Sequence, residues 1–190
     1  MGVSQSWVAF RGRPATAVRA ELRLRVVADA NPYDSRYLGS TLPDGWQLLV
    51  VRSDRLVDPA LLARLSRGGE AVACFVEEHV MFSHASGWAD GRCLWKIDHD
   101  GCEARDALQV TGDPPAQLGP IRDDLEAKQR ATEPDDEYPV DYLFEAPAEL
   151  VKQLVGYHHF DDAAAGPFDA LEELPPEPPR KGLWTRLLGR

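Results

Sequence analysis

Three cysteines in 190 residues are too few and too scattered to staple a fold. Cys74, Cys93 and Cys102 are odd in number, and no two stand at the spacing of a zinc knuckle or a redox pair. They read as reduced thiols, Cys74 within AVACFV as a small buried hydrophobe and Cys102, beside a glycine turn, as an exposed one. No apolar run approaches the ~20 residues that cross a bilayer. The opening MGVSQSWVAF has no basic region leading into a long apolar stretch, so the expected location is cytoplasmic. A GxSxG elbow, a GxxxxGK(S/T) loop and a strand-borne GxGxxG are all absent, and Ser53, Ser66 and Ser83 have no neighbours that mark a nucleophile. These absences predict a chain that is not an enzyme and carries no cofactor.

What is present is unevenly spread charge. The net charge is −10. Five arginines against Glu21 give the first 25 residues +4, residues 180–190 carry another +4, and the chain between them −18. Residues 133–179 hold thirteen acids against Lys152 alone. Such a body repels nucleic-acid phosphates, whose binding rests on displaced counterions. It suits capture of a basic protein by electrostatic complementarity, as an immunity or inhibitor protein would do.

The hydrophobic pattern divides the chain into strands and helices with few strict alternations between them. SWVAF and GWQLLVVR read as strands, and residues 14–24 as a helix opened by Pro14. The turn-rich DANPYDSRYLGSTLPDG reads as a loop with room for one short strand. Asp58-Pro59 opens a second helix with a Leu61, Leu62, Leu65 stripe, ended by Gly68-Gly69. Residues 70–98 are the most strand-like part, followed by ALQVT. A helix follows Pro120, DYLFE reads as a strand, and residues 147–155 form a closing helix stopped by Gly156. Consecutive strands without a helix between each pair predict an α+β domain over residues 1–160, with helices packed on an antiparallel or mixed sheet.

Candidate chemistry concentrates in VEEHVMFSH, residues 76–84. As one strand, it places Glu78 and His84 ~20 Å apart at roughly 3.3 Å per residue, too far to share an ion. Asp90-Gly91 marks a two-residue hairpin turn, which sets His84 opposite Ile97 and Phe82 opposite His99. On that register Phe82 and His84 share a face with Trp95, Ile97 and His99. His84 and His99 are then diagonal neighbours ~7–8 Å apart, the one pair able to serve a metal-dependent or hydrolase-type enzyme, which is the alternative to a binding function. KIDHDG, residues 96–101, lacks the further acids of a calcium loop. His158-His159 beside Asp161-Asp162 reads as a solvated helix end, with metal binding as its alternative.

The end of the chain changes character. Residues 161–179, acidic and proline-rich, read as a poorly folded linker. Residues 180–190 read as a basic amphipathic peptide, with Leu183, Trp184, Leu187 and Leu188 on one stripe and Arg186 among the surrounding cations. A peptide this short orders only on contact. Its expected target is a groove on a protein partner; weak contact with an anionic membrane and folding back on the acidic body are the alternatives.

Overall fold

The computed structural model describes residues 2–131, 140–160 and 167–175. The peptide 180–190, with Leu183, Trp184, Arg186, Leu187 and Leu188, lies outside the described residues. In chain order the elements are β1 (Ser4–Arg11), α1 (Ala15–Glu21), β2 (Leu24–Val26), β3 (Tyr37–Thr41), β4 (Gln47–Val51), α2 (Pro59–Leu65), β5 (Glu70–Glu77), β6 (Phe82–Ala89), β7 (Arg92–Asp100), β8 (Gln109–Gly112), α3 (Leu118–Ala131), α4 (Ala146–Val155) and β9 (Asp169–Glu173). The strands make one sheet, ordered β2-β9-β3-β4-β1-β5-β6-β7-β8. Every neighbouring pair is antiparallel. The class is α+β, as the order of elements predicts.

The strand β1 is central, and its apolar run WVAF is buried on both sides. Val8 and Phe10 join Leu49, Val51, Ala71 and Ala73 beneath Leu61, Leu62 and Leu65 of α2 and Val18 of α1. Trp7 and Ala9 join Leu48, Val50, Cys74 and Val76 beneath Leu150, Val151 and Val155 of α4, with Ile121 and Leu125 of α3 in the same cluster. The sheet is therefore the middle of three layers. Local signals set the helix ends. Asp58 Oδ1 accepts the Leu61 N–H at 2.7 Å, which satisfies one of the donors a helix start leaves open. Gly156, at φ 81°, turns the chain left-handed after α4 and donates to Lys152 O. Among the described residues no helix is long and apolar enough to cross a membrane.

Four expectations need correction. VEEHVMFSH is not one strand: β5 ends at Glu77, the chain reverses through residues 78–81, and Glu77 pairs with Phe82. Met81 takes the left-handed conformation at φ 51°, a place usually filled by Gly or Asn, so no turn residue advertises the reversal. The stretch DYLFE ends in a 3₁₀ turn, Leu143–Glu145, which runs into α4 with Leu143 and Phe144 buried. Part of the expected linker is β9, hydrogen-bonded to β2 on one side and β3 on the other with Ala170 and Leu171 buried. The folded unit thus extends past residue 160. An edge-to-edge partner on both sides offsets the poor strand composition of DALEE.

The fourth correction is the register of the β6–β7 hairpin. Its turn forms as expected, with Asp90 at φ 48° and Gly91 at φ 78°, the type I′ pattern. Ala89 pairs with Arg92 and Trp88 with Cys93, but Gly87 pairs with Trp95, and the one-residue shift persists to Phe82 opposite Asp100. Leu94 is the extra residue of this β-bulge. Its carbonyl accepts the Asp113 N–H at 3.2 Å. The shift seats the Trp95 indole against Gly87, where an added Cβ would lie 2.1 Å from Trp95 Nε1. Gly87→Ala must therefore displace Trp95 from the core. Overpacking of this kind costs about 1–3 kcal/mol, so urea unfolding of the variant should show a loss in that range; an unchanged midpoint would contradict the Trp95–Gly87 contact.

Candidate functional site

Because side chains alternate across a strand, the bulge decides which polar groups meet. His84 shares a face with Ser86, Trp88, Lys96 and Asp98, whereas His99 shares the other with Ser83, Trp95 and Ile97. The expected His84/His99 pair is not formed: the two rings lie on opposite sides of the sheet. Among the described residues no three His, Cys, Asp or Glu side chains converge as a metal site. His79 sits in the 78–81 reversal, exposed and paired with Glu77.

On its own face His84 is the centre of a hydrogen-bonded chain. His84 Nδ1 lies 2.7 Å from Asp98 Oδ1 and Nε2 lies 3.2 Å from Ser86 Oγ. Trp88 Nε1 donates to the same Oγ at 3.1 Å, and Lys96 Nζ reaches Asp98 Oδ2 at 2.7 Å. Burial alone would raise the Asp98 pKa, but the His84 hydrogen bond and then that of Lys96 outweigh it and hold the carboxyl below the usual aspartate range. Asp98 is thus an acceptor only, so Nδ1 carries the proton it receives. In the neutral ring Nε2 is then a bare acceptor. The group faces a cavity of about 320 Å³ walled by Phe75, Phe82 and Trp88, with Val57 and Pro59 at its rim. Ser86, two residues from His84 on the same strand, shares its face in any register, whereas Asp98 joins them only through the bulge.

His99 is fully buried and differently employed. Nδ1 faces the Ala107 carbonyl at 3.1 Å and Nε2 the Asp141 carboxylate at 2.8 Å. Both partners are acceptors, so both ring nitrogens donate. Burial opposes the charged ring, but the Asp141 hydrogen bond and charge prevail and raise the His99 pKa. With neither nitrogen open, the pair ties β7 to the start of the 3₁₀ turn before α4.

A third arrangement lies between α3 and α4, in a groove of about 740 Å³. Glu145 and Glu149 stand one turn apart at the start of α4, where the helix dipole favours negative charge. His158, expected in a solvated helix end, is instead 5% exposed, and His159 is also buried. His158 Nδ1 accepts the Phe160 N–H, which leaves Nε2 as a donor with no hydrogen-bond partner. It points toward Glu145 and Glu149 at 3.7 and 3.9 Å. Among the described residues no Lys or Arg nitrogen lies within 4.0 Å of either carboxylate. Lys128, which also lines the groove, pairs with Asp124 at 2.7 Å and feels the charge of Glu149. Phe160 is 64% exposed at the rim.

Comparison with protein-family models, curated proteins and solved structures finds no match to this chain.

The buried histidines give opposite pH responses. His159 stacks on Trp7 and His158; burial, then the His158 charge, lowers its pKa from 6.5 to about 4. The unfolded chain takes up this proton first, so stability falls as pH drops from about 6.5 toward 4, by roughly 3 kcal/mol. His99 has the opposite sign: its contribution is full below about pH 6.5 and is lost as pH rises through its raised folded value. In urea unfolding, the advantage of His159→Phe over wild type should grow between pH 7 and pH 4.5. The deficit of Asp141→Asn should shrink between pH 6 and pH 8.5.

Proposed function

We propose that this chain is an acidic binding protein of the immunity or inhibitor kind, which captures a basic protein partner by taking an arginine or lysine side chain into the α3–α4 groove. The observation that carries this reading is the pair Glu145 and Glu149, two carboxylates whose ion-pair contacts among the described residues are the long ones to His158, in a groove that also has an apolar wall. An arginine fork matches a carboxylate with two parallel hydrogen bonds. Its aliphatic stem would lie along Ile121 and Leu125, and the Phe160 ring would receive the edge of the cation. His158 Nε2, buried and without a hydrogen-bond partner, lies beside the carboxylates at 3.7 and 3.9 Å. A net charge of −10 adds long-range steering of a basic partner. The peptide 180–190, with Leu183, Trp184, Arg186, Leu187 and Leu188, is proposed as a second, tethered contact with the same partner.

A decapeptide of arginine, titrated calorimetrically into the full-length protein at low salt, tests the groove directly. Glu145→Gln with Glu149→Gln should weaken binding more than tenfold. Asp123→Asn with Glu126→Gln removes the same charge from α3 outside the groove and should change it less than twofold. Equal losses from both double variants would mean that net charge, and not the groove, holds the peptide.

A further inference from the structure

The opposite face of the sheet carries the His84 hydrogen-bond network, apart from the groove. We propose that Ser86 and His84 form a hydrolytic nucleophile and base, positioned by Asp98, which act on small esters with an apolar acyl or aryl group. Trp88 Nε1 can only donate, so Ser86 Oγ accepts from it at 3.1 Å. The Asp98 carboxylate can only accept, so His84 gives it the Nδ1 proton at 2.7 Å. The one hydroxyl proton of Ser86 is left to point at the bare Nε2 of His84, 3.2 Å away. This is the polarity a serine nucleophile needs: its proton already faces the base, and the base is held in the correct tautomer by a carboxylate.

Two further observations favour chemistry over a purely structural network. A structural network needs no empty space beside it, whereas this one borders a cavity of about 320 Å³ lined by three aromatic rings. Ser86 lines this cavity and is 2% exposed, so an ester must enter the space beside the aromatic rings to meet Oγ. The Trp88 N–H, which donates to Oγ, is the donor we assign to the oxygen that becomes negative when Oγ adds to a carbonyl. Cys93 borders the same space, but burial raises its thiol pKa and its Sγ donates to the Trp95 carbonyl, so it stays protonated.

The reaction balances without another reagent than water. Ser86 Oγ bonds to the ester carbonyl carbon while its proton passes to His84 Nε2. The carbon–oxygen bond to the alcohol breaks, and His84 returns the proton to the departing alkoxide. Water then adds to the acyl-serine while His84 Nε2 takes its proton, and as the Oγ–carbon bond breaks to release the acid His84 returns that proton to Oγ, restoring Ser86.

The test uses the full-length protein with a fluorophosphonate probe and with p-nitrophenyl acetate. Peptide mapping should place the phosphonyl group on Ser86, and Ser86→Ala should abolish both labelling and turnover. Asp98→Asn should lower kcat at least a hundredfold with KM nearly unchanged, the mark of a positioning residue. Trp88→Phe should lower kcat about tenfold, and Cys93→Ala should leave both readouts as they are. Mapping on the wild-type chain decides the matter even where a variant fails to fold. A wild-type Ser86 that carries no adduct, or ester turnover that survives in folded Ser86→Ala, overturns the proposal.

Discussion

One unpaired residue in β7 governs where the chemistry of this protein lies. With Leu94 bulged out, Trp95 and Ile97 point into the core under α4, and Lys96 and Asp98 point to the other side. Without the bulge, the strand beyond residue 94 would turn over, and Trp95 and Ile97 would face the cavity side. Each large apolar side chain left in water forfeits about 1.5–3 kcal/mol. The bulge disturbs a ladder hydrogen bond worth about 0.5–1.5 kcal/mol, and the Leu94 carbonyl recovers a partner in Asp113. Core burial therefore wins, and Gly87, having no side chain, leaves the room that Trp95 fills.

That choice sorts the histidines into separate roles. His84 keeps one acceptor nitrogen and faces a serine; His99 donates through both nitrogens and is spent on structure. On the α3–α4 side of the sheet, Glu145 and Glu149 stand near the His158 N–H. The two faces are separated by the buried layer of β1 and β5. The α3–α4 groove and the cavity beside His84, on opposite sides, can therefore be altered one at a time.

The parts legible in the sequence were those whose cause is local. Asp58-Pro59, Gly156 and Asp90-Gly91 act through a few neighbouring backbone angles, and each stands where its residue types place it. The apolar runs of β1 and β4 were equally plain because both of their faces are buried. The reversal at residues 78–81 was not, since it is made with Met81 at positive φ and is imposed by antiparallel pairing of β5 with β6. Nor was β9, whose acidic sequence becomes a strand because β2 and β3 leave a gap for it and Arg25 and Arg55 meet Glu172 and Glu173. The site was lost for the same reason: the turn predicts the first two pairs of the β6–β7 hairpin correctly, and a packing demand five residues on moves all the others.

The register beyond the bulge is the most direct point of attack, and cross-strand backbone NOEs in the full-length protein read it. They should connect Ser83 with His99 and His84 with Asp98. Contacts of His84 with Ile97 and of Phe82 with His99 would instead show an unbulged ribbon, and would remove both the His84–Ser86–Asp98 chain and the buried His99–Asp141 pair.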